Sequence, residues 1–281
     1  MNELKLTSLL QQWFIEDIGE GDLTSESIFA VDDRGCGQFL AKDSGVIAGI
    51  SIIKKGYELL HPEIEVQLLV QDGQLIEKGQ ILATACGPIR YLLTGERVIL
   101  NLIQHLSGIA TMTHLATKNL NSNHTRVCDT RKTTPGLRML EKYAVRCGGG
   151  FNHRLGLYDG VMIKDNHIAH MGSILKAVAK VKEKLGHMVK VEVEIETKEE
   201  LLEAIEAKAD VILLDNLSPD KVKEFVALIP DYIITEASGG ITISNIADYA
   251  HTGVDYISLG ALTHSVTSLD ISFNIVGGKK A

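Results

Sequence analysis

Arg131, Lys132, Arg154 and Lys164, with His153 among them, are the residues of this 281-residue sequence whose types and spacing most clearly imply chemistry. They lie in VCDTRKTTPGLRMLEKYAVRCGGGFNHRLGLYDGVMIKDNH, Val127 to His167. From Arg126 to His170 there are eight Lys or Arg against four acids, a local charge of +4 in a chain of net charge -8, which leaves -12 for the remainder. A basic island in an acidic protein points to a small anionic ligand, because a nucleic-acid binder is usually basic over a whole face. Guanidinium groups grip carboxylates in a bidentate way, so this set predicts a pocket for a compact dianion. A solvated helix face would explain Arg138, Glu141, Lys142 and Arg146, which stand at helical spacing. It does not explain the other cations.

The elements that must position these residues change character along the chain. Leu6, Leu9, Leu10, Trp13 and Phe14 form one apolar stripe of a first helix ending near Gly19. The Gly- and acid-rich turn EDIGEGDLTSE, Glu16 to Glu26, follows. From about Cys36 to Cys86 short strands alternate with turns around a helix at Ile52 to Leu60, and Asp72-Gly73 predicts a hairpin. Val70 to Gly87 resembles the hammerhead strands of lipoyl and biotinyl carrier domains but lacks the exposed tip lysine, so a structural α/β module is expected. Thr94 to Leu120 is the longest helical pattern, with Gly108 a kink or a point of close backbone approach. Arg97 stands in its first turn, where the helix dipole disfavours a cation, which hints at a ligand.

After Asn123 strands and helices alternate. Strands are expected at 126–129, 160–163, 190–195, 211–214, 232–236 and 256–259, with a possible seventh at 151–154; helices are expected at 137–146, 173–185, 198–207, 219–227 and 244–251. Apolar strands in such repeats imply a parallel sheet covered by helices, either an incomplete six- to seven-stranded α/β barrel or an open doubly wound sheet. The expected domains are an N-terminal α/β sandwich over 1–107, joined by 267–281, and the barrel over 108–266.

Nearly every strand ends in a polar or Gly-rich cluster: Asp129 to Lys132 including Thr130, Lys164 to His167, Glu194, Asp215-Asn216, Glu236 to Gly240, and Gly260-Ala261. The carboxyl ends of barrel strands are where active sites are built. Ser238, Gly239, Gly240 and Gly260 are placed to hold a phosphate on backbone N–H groups. Glu194 and Asp215 suit sugar hydroxyls or a hydrated divalent ion such as Mg2+, or simple pairing with rim lysines. A phosphate grip, acids for a metal and ribose, and a dicarboxylate pocket together predict transfer of a ribosyl phosphate to an acid. The four cysteines have neither zinc-site spacing nor a disulfide framework, so buried reduced thiols are expected. No apolar run approaches a membrane span, and the N-terminus does not resemble a signal peptide, so a cytoplasmic protein is expected, with no membrane or nucleic-acid partner.

DTRKTTPGLRMLEKYAVRCGGGFNHRLGLYDGVMIKDNH, EVEIE, LLDN, EASGGI and YISLGALTHS, with EDIGEGDLT and ERVILNLIQHLSGIAT, resemble the quinolinate phosphoribosyltransferases, the decarboxylating enzymes of NAD synthesis. The resemblance covers nearly the whole chain. It implies an N-terminal α/β sandwich beside an incomplete α/β barrel, and a homodimer in which Arg97 enters the partner's site. It further implies that Thr130, Arg131, Lys132, His153, Arg154 and Lys164 line the quinolinate pocket. Glu194 and Asp215 would then face ribose and Mg2+, and Ser238, Gly239, Gly240 and Gly260 would hold the phosphate of phosphoribosyl pyrophosphate. Lys132 or Lys164 would stabilise the carbanion-like intermediate of decarboxylation. The alternatives are same-fold transferases, of the molybdenum pathway or acting on nicotinate, and, from a different class, a carrier or binding module.

Overall fold

The computed structural model describes residues 1–276. Its first half runs α1 (Glu3–Ile18), α2 (Leu23–Ile28), β1 (Arg34–Ala41), β2 (Gly45–Val46), α3 (Ser51–Leu60), β3 (Glu65–Leu68), β4 (Leu75–Ile76), β5 (Ile81–Pro88) and α4 (Ile89–Leu120). Then come β6 (Arg126–Cys128), α5 (Arg138–Cys147), β7 (Val161–Ile163), α6 (Asp165–Met171), α7 (Ile174–Lys182), β8 (Val191–Ile195) and α8 (Lys198–Glu206). The described chain closes with β9 (Val211–Asp215), α9 (Pro219–Val226), β10 (Ile234–Ser238), β11 (Tyr256–Ser258), α10 (Ala261–His264) and β12 (Ile271–Val276).

These elements fall into two compact units. Among the described residues the first comprises 1–112, 139–149 and 266–276, the last five residues of the expected 267–281 segment lying outside the described residues; the second comprises 113–138 and 150–265. Helix α5, counted with the barrel in the sequence reading, thus clusters with the first unit.

In the first unit an antiparallel sheet has the order β12-β1-β5-β3. Leu6, Leu10 and Phe14, one turn apart on α1, are buried, and the Asn2 side chain caps that helix by accepting the Lys5 N–H. Gly108 does permit a close approach: a Cβ there would run into the Thr267 carbonyl and lie 3.1 Å from Ser268 Cα. The hairpin expected at Asp72-Gly73 is not formed between its flanking strands. β3 pairs with β5, while β4 pairs with the distant β2. Asp72 instead ties the turn to other elements, accepting from the Ile50 N–H at 2.9 Å and the Tyr143 hydroxyl at 2.6 Å. The expectation of four reduced thiols also needs correction. Cys36 and Cys86 stand directly opposite on β1 and β5 with Cα atoms 4.1 Å apart, and they form a disulfide; Cys128 and Cys147 are free.

The second unit is built on a six-stranded parallel sheet of order β6-β11-β10-β9-β8-β7. Its first strand lies beside its last, as in a sheet rolled toward closure, which selects the incomplete barrel over the doubly wound alternative. Phe151 adds a one-residue parallel bridge to Cys128, all that forms of the seventh strand. Thr197 and Glu200 make a capping box at α8, and Ser218 with Pro219 starts α9. The helix expected over 244–251 is a short 3-10 turn, Ile246–Tyr249, and α6 was not anticipated. No helix among the described residues is long and apolar enough to cross a membrane.

Candidate active site

A cavity of about 400 Å³ opens in the second unit over the carboxyl ends of its strands. Side chains two apart on a strand share a face, and four successive strands contribute such pairs: Met162 and Lys164, Glu192 and Glu194, Leu213 and Asp215, Glu236 and Ser238. The first member of each pair forms a lower layer and the second a rim layer, the stacking of a barrel interior. Except for Glu192, all eight line the cavity.

The cationic wall comes from the loop after β6 and the segment after Phe151. Buried Asp129 holds these together, accepting from Asn152 Nδ2 at 2.6 Å and from the His153 N–H at 2.9 Å. Arg138 braces the first loop, donating from Nε to Thr133 Oγ1 at 2.9 Å and from Nη1 to the Leu155 carbonyl at 3.2 Å. It is therefore more than a solvated helix residue. Arg154 Nη1 donates to the Gly160 carbonyl at 2.8 Å, but the Nε groups of Arg131 and Arg154 are buried without a hydrogen-bond partner. Burial, and then the positive charge of Arg131, hold the Arg154 guanidinium below its ordinary value. Two crowded guanidiniums with orphaned donors form a site that an anion would complete.

In the rim layer Lys164 forms an ion pair with Glu194. Burial, and next the charge of Glu194, push the Asp215 carboxyl above its usual range, and Lys164 and Lys132 partly offset this. Two carboxylates that repel each other, presented with only oxygen donors, fit a hydrated magnesium ion.

The sequence-predicted residues divide as follows. Thr130, Arg131, Lys132, His153, Arg154, Lys164, Glu194, Asp215 and Ser238 all line the cavity. Gly239, Gly240 and Gly260 do not line it; they shape the ends of β10 and β11. Gly239 and Gly240 have φ of +83° and +65°, and a Cβ on Gly239 would lie 2.8 Å from the Asn216 backbone nitrogen. Asn216 itself has φ +56° and donates its N–H to the Ser238 carbonyl at 2.9 Å, so the ends of β9 and β10 lock together. Arg97 lies in the first unit, at a separate cavity of about 360 Å³ with Asp22, Thr94 and Glu96.

The sequence reading did not single out Glu192, Glu236 and Ser258 as site residues. His153 Nε2 lies 3.0 Å from Glu192 and 3.6 Å from Glu236. Its Nδ1 accepts the Arg154 N–H at 2.8 Å, which puts the ring proton on Nε2. The three groups lie close enough to hold a metal, within 4.8 Å, but Nε2 is occupied by the proton it donates to Glu192. Burial first, then the Glu192 charge, push the Glu236 carboxyl up to about 7; His153 and a Ser258 hydrogen bond work against this. The signal for these residues was the alternation EVE and EAS, which sends Glu192 and Glu236 to the same side as Glu194 and Ser238.

Known proteins share this layout. The C-terminal domain model of quinolinate phosphoribosyl transferase matches residues 109–274, and the N-terminal domain model matches 22–107. The chain belongs to the quinolinate phosphoribosyltransferase family. A probable nicotinate-nucleotide pyrophosphorylase (carboxylating) of Bacillus subtilis (strain 168) is 58% identical over 98% of this chain and 95% of its own length. A mitochondrial quinolinate phosphoribosyltransferase (decarboxylating) of Nicotiana glauca is 39% identical over 96% of this chain and 82% of its own. The crystal structure of NadC from Streptococcus pyogenes superposes with a TM-score of 0.95 at 38% identity, covering 99% of both chains. The family's two domain models meet between residues 107 and 109, within α4.

Proposed function

We infer that this family member is a pentosyltransferase that converts quinolinate and phosphoribosyl pyrophosphate to nicotinate mononucleotide, pyrophosphate and CO2, feeding NAD biosynthesis. The observation that carries the reading is the pair of buried, unpartnered guanidinium nitrogens on Arg131 and Arg154. A pyridine dicarboxylate supplies two anionic groups for that wall, and Lys132 and Lys164 add charge beside it.

The pyridine nitrogen displaces pyrophosphate from the anomeric carbon, and Ser238 with the Gly239-Gly240 turn holds the 5-phosphate. Positive charge developing on the ribose faces Glu194 and Asp215, which are fixed in advance by their strands. These two carboxylates would also hold magnesium through water, and the ion would neutralise charge on the leaving pyrophosphate. Once alkylated, the ring nitrogen is cationic and stabilises the electron pair left at C2 when the 2-carboxylate departs as CO2. The ammonium groups of Lys132 and Lys164 stabilise that charge. In a homodimer, Arg97 of one subunit completes the quinolinate pocket of the other; α4 begins at Ile89, so Arg97 stands in its third turn and not in the first turn expected from the sequence, and the helix dipole is no argument for a ligand there.

Incubation with quinolinate, phosphoribosyl pyrophosphate and magnesium is expected to yield CO2 and nicotinate mononucleotide in equal amounts, read by mass spectrometry. Neither product from folded protein would refute the reading. Nicotinate in place of quinolinate is expected to be a poor substrate, since one carboxylate leaves part of the cationic wall unpaired.

A further inference from the structure

Decarboxylation breaks a carbon–carbon bond and leaves its electron pair at ring C2, so the product requires a proton there. The lysines stabilise that charge as cations, and Lys164 is already engaged with Glu194. A separate acid lies beneath the cationic wall. Glu192 and Glu236 are each 5% exposed, and the Oε1 atom of each is buried without a hydrogen-bond partner. Of the two, only Glu236 lines the cavity. The groups facing it are Glu192 from β8, His153 from the segment after Phe151, Ser258 from β11 and Asp129 from the end of β6.

Two carboxylates buried this close cannot both stay ionised without compensating charge. His153 has a single proton to offer, because its Nδ1 accepts the Arg154 N–H, and Nε2 stands nearer Glu192, 3.0 Å against 3.6 Å. The remaining proton therefore rests on Glu236, at the cavity floor.

We propose that Glu236 is the proton donor that completes decarboxylation, an inference that rests on the phosphoribosyl transfer and decarboxylation read above. As CO2 departs, its former bonding pair remains at C2. The Glu236 O–H bond breaks, the proton forms the new C2–H bond, and Glu236 is left as a carboxylate. Repulsion from Glu192 draws a proton back onto Glu236 from water once product has left. The raised carboxyl of Glu236 suits the role, since a general acid works best when its proton is held near the working pH.

Single turnovers of the magnesium-loaded enzyme separate the two steps: pyrophosphate reports glycosidic bond formation, and label from the 2-carboxylate reports CO2. Glu236→Gln keeps the shape but has no acidic proton. Its CO2 release is expected to fall on the order of 100-fold relative to pyrophosphate release, with the doubly carboxylated nucleotide accumulating. Glu236→Asp is expected to recover part of the loss. In the wild type, CO2 release declines as pH rises through the Glu236 value while pyrophosphate release does not follow, and Glu236→Gln lacks that decline. The wild-type profile tests the idea even if the Gln variant does not fold. Equal loss of both products, unchanged CO2 release, or a decline that survives in Glu236→Gln would each overturn it. A wild type that releases neither product refutes the functional reading as well, whereas pyrophosphate release with Glu236-independent CO2 release refutes only the proton donor.

Discussion

Lys164 shows how little of a site residue's role is visible in its type alone. Its partner is Glu194, and the charge of Lys164 also offsets the repulsion between Glu194 and Asp215. Removing it leaves two carboxylates facing each other and, in the proposed mechanism, takes a cation from beside the pyridine ring. Lys164→Ala is expected to lower turnover on the order of a hundredfold at saturating substrates. Because the side chain is 43% exposed, thermal stability should move little. Steady-state kinetics beside a melting curve checks this, and unchanged turnover would remove Lys164 from the mechanism. Arg131, Arg154 and Lys132 were legible in the sequence because a dense run of cations in an acidic chain is a local signal. Glu192 and Glu236 were not, since a carboxylate buried against a histidine is a product of assembled strands.

At the level of elements, the turn after β10 combines two glycines with different reasons to be glycine. Both have positive φ, but Gly239 also packs against Asn216, whereas a Cβ on Gly240 would meet nothing within 4 Å. Gly240→Ala should therefore cost only the conformational penalty, about 1–2 kcal/mol. Gly239→Ala must also displace the end of β9, and is expected to lose more stability and to raise the KM for phosphoribosyl pyrophosphate more. Parallel melts and kinetics decide the order, and equal effects would deny the Asn216 contact its role. The alternation of strands and helices after Asn123 was readable because each strand is apolar and ends in a polar cluster. Pairings made across distance were not: β2 with β4 and Cys36 with Cys86 depend on register between segments that no local pattern joins. Helix α6 is hidden in the sequence because its DNH residues read equally well as the polar end of β7.

For the whole molecule, the proposed dimer implies that one chain does not hold a complete site. The second unit supplies the cavity, its cationic wall and its acids, while Arg97 belongs to the first unit and lines a different cavity. If Arg97 serves a partner's pocket, Arg97→Ala and Lys164→Ala damage the same site from two different chains. Each variant alone should be nearly inactive. Unfolding and refolding them together allows mixed dimers, in which one site receives Arg97 from the Lys164→Ala subunit and Lys164 from the other, while the second site lacks both. Random assembly of equal amounts makes half the dimers mixed, so about a quarter of wild-type activity should return. Titrating the ratio should give a maximum at equal amounts, with sedimentation confirming the dimer. No recovery, from a mixture shown to exchange subunits, would mean that Arg97 acts within its own chain or not at all.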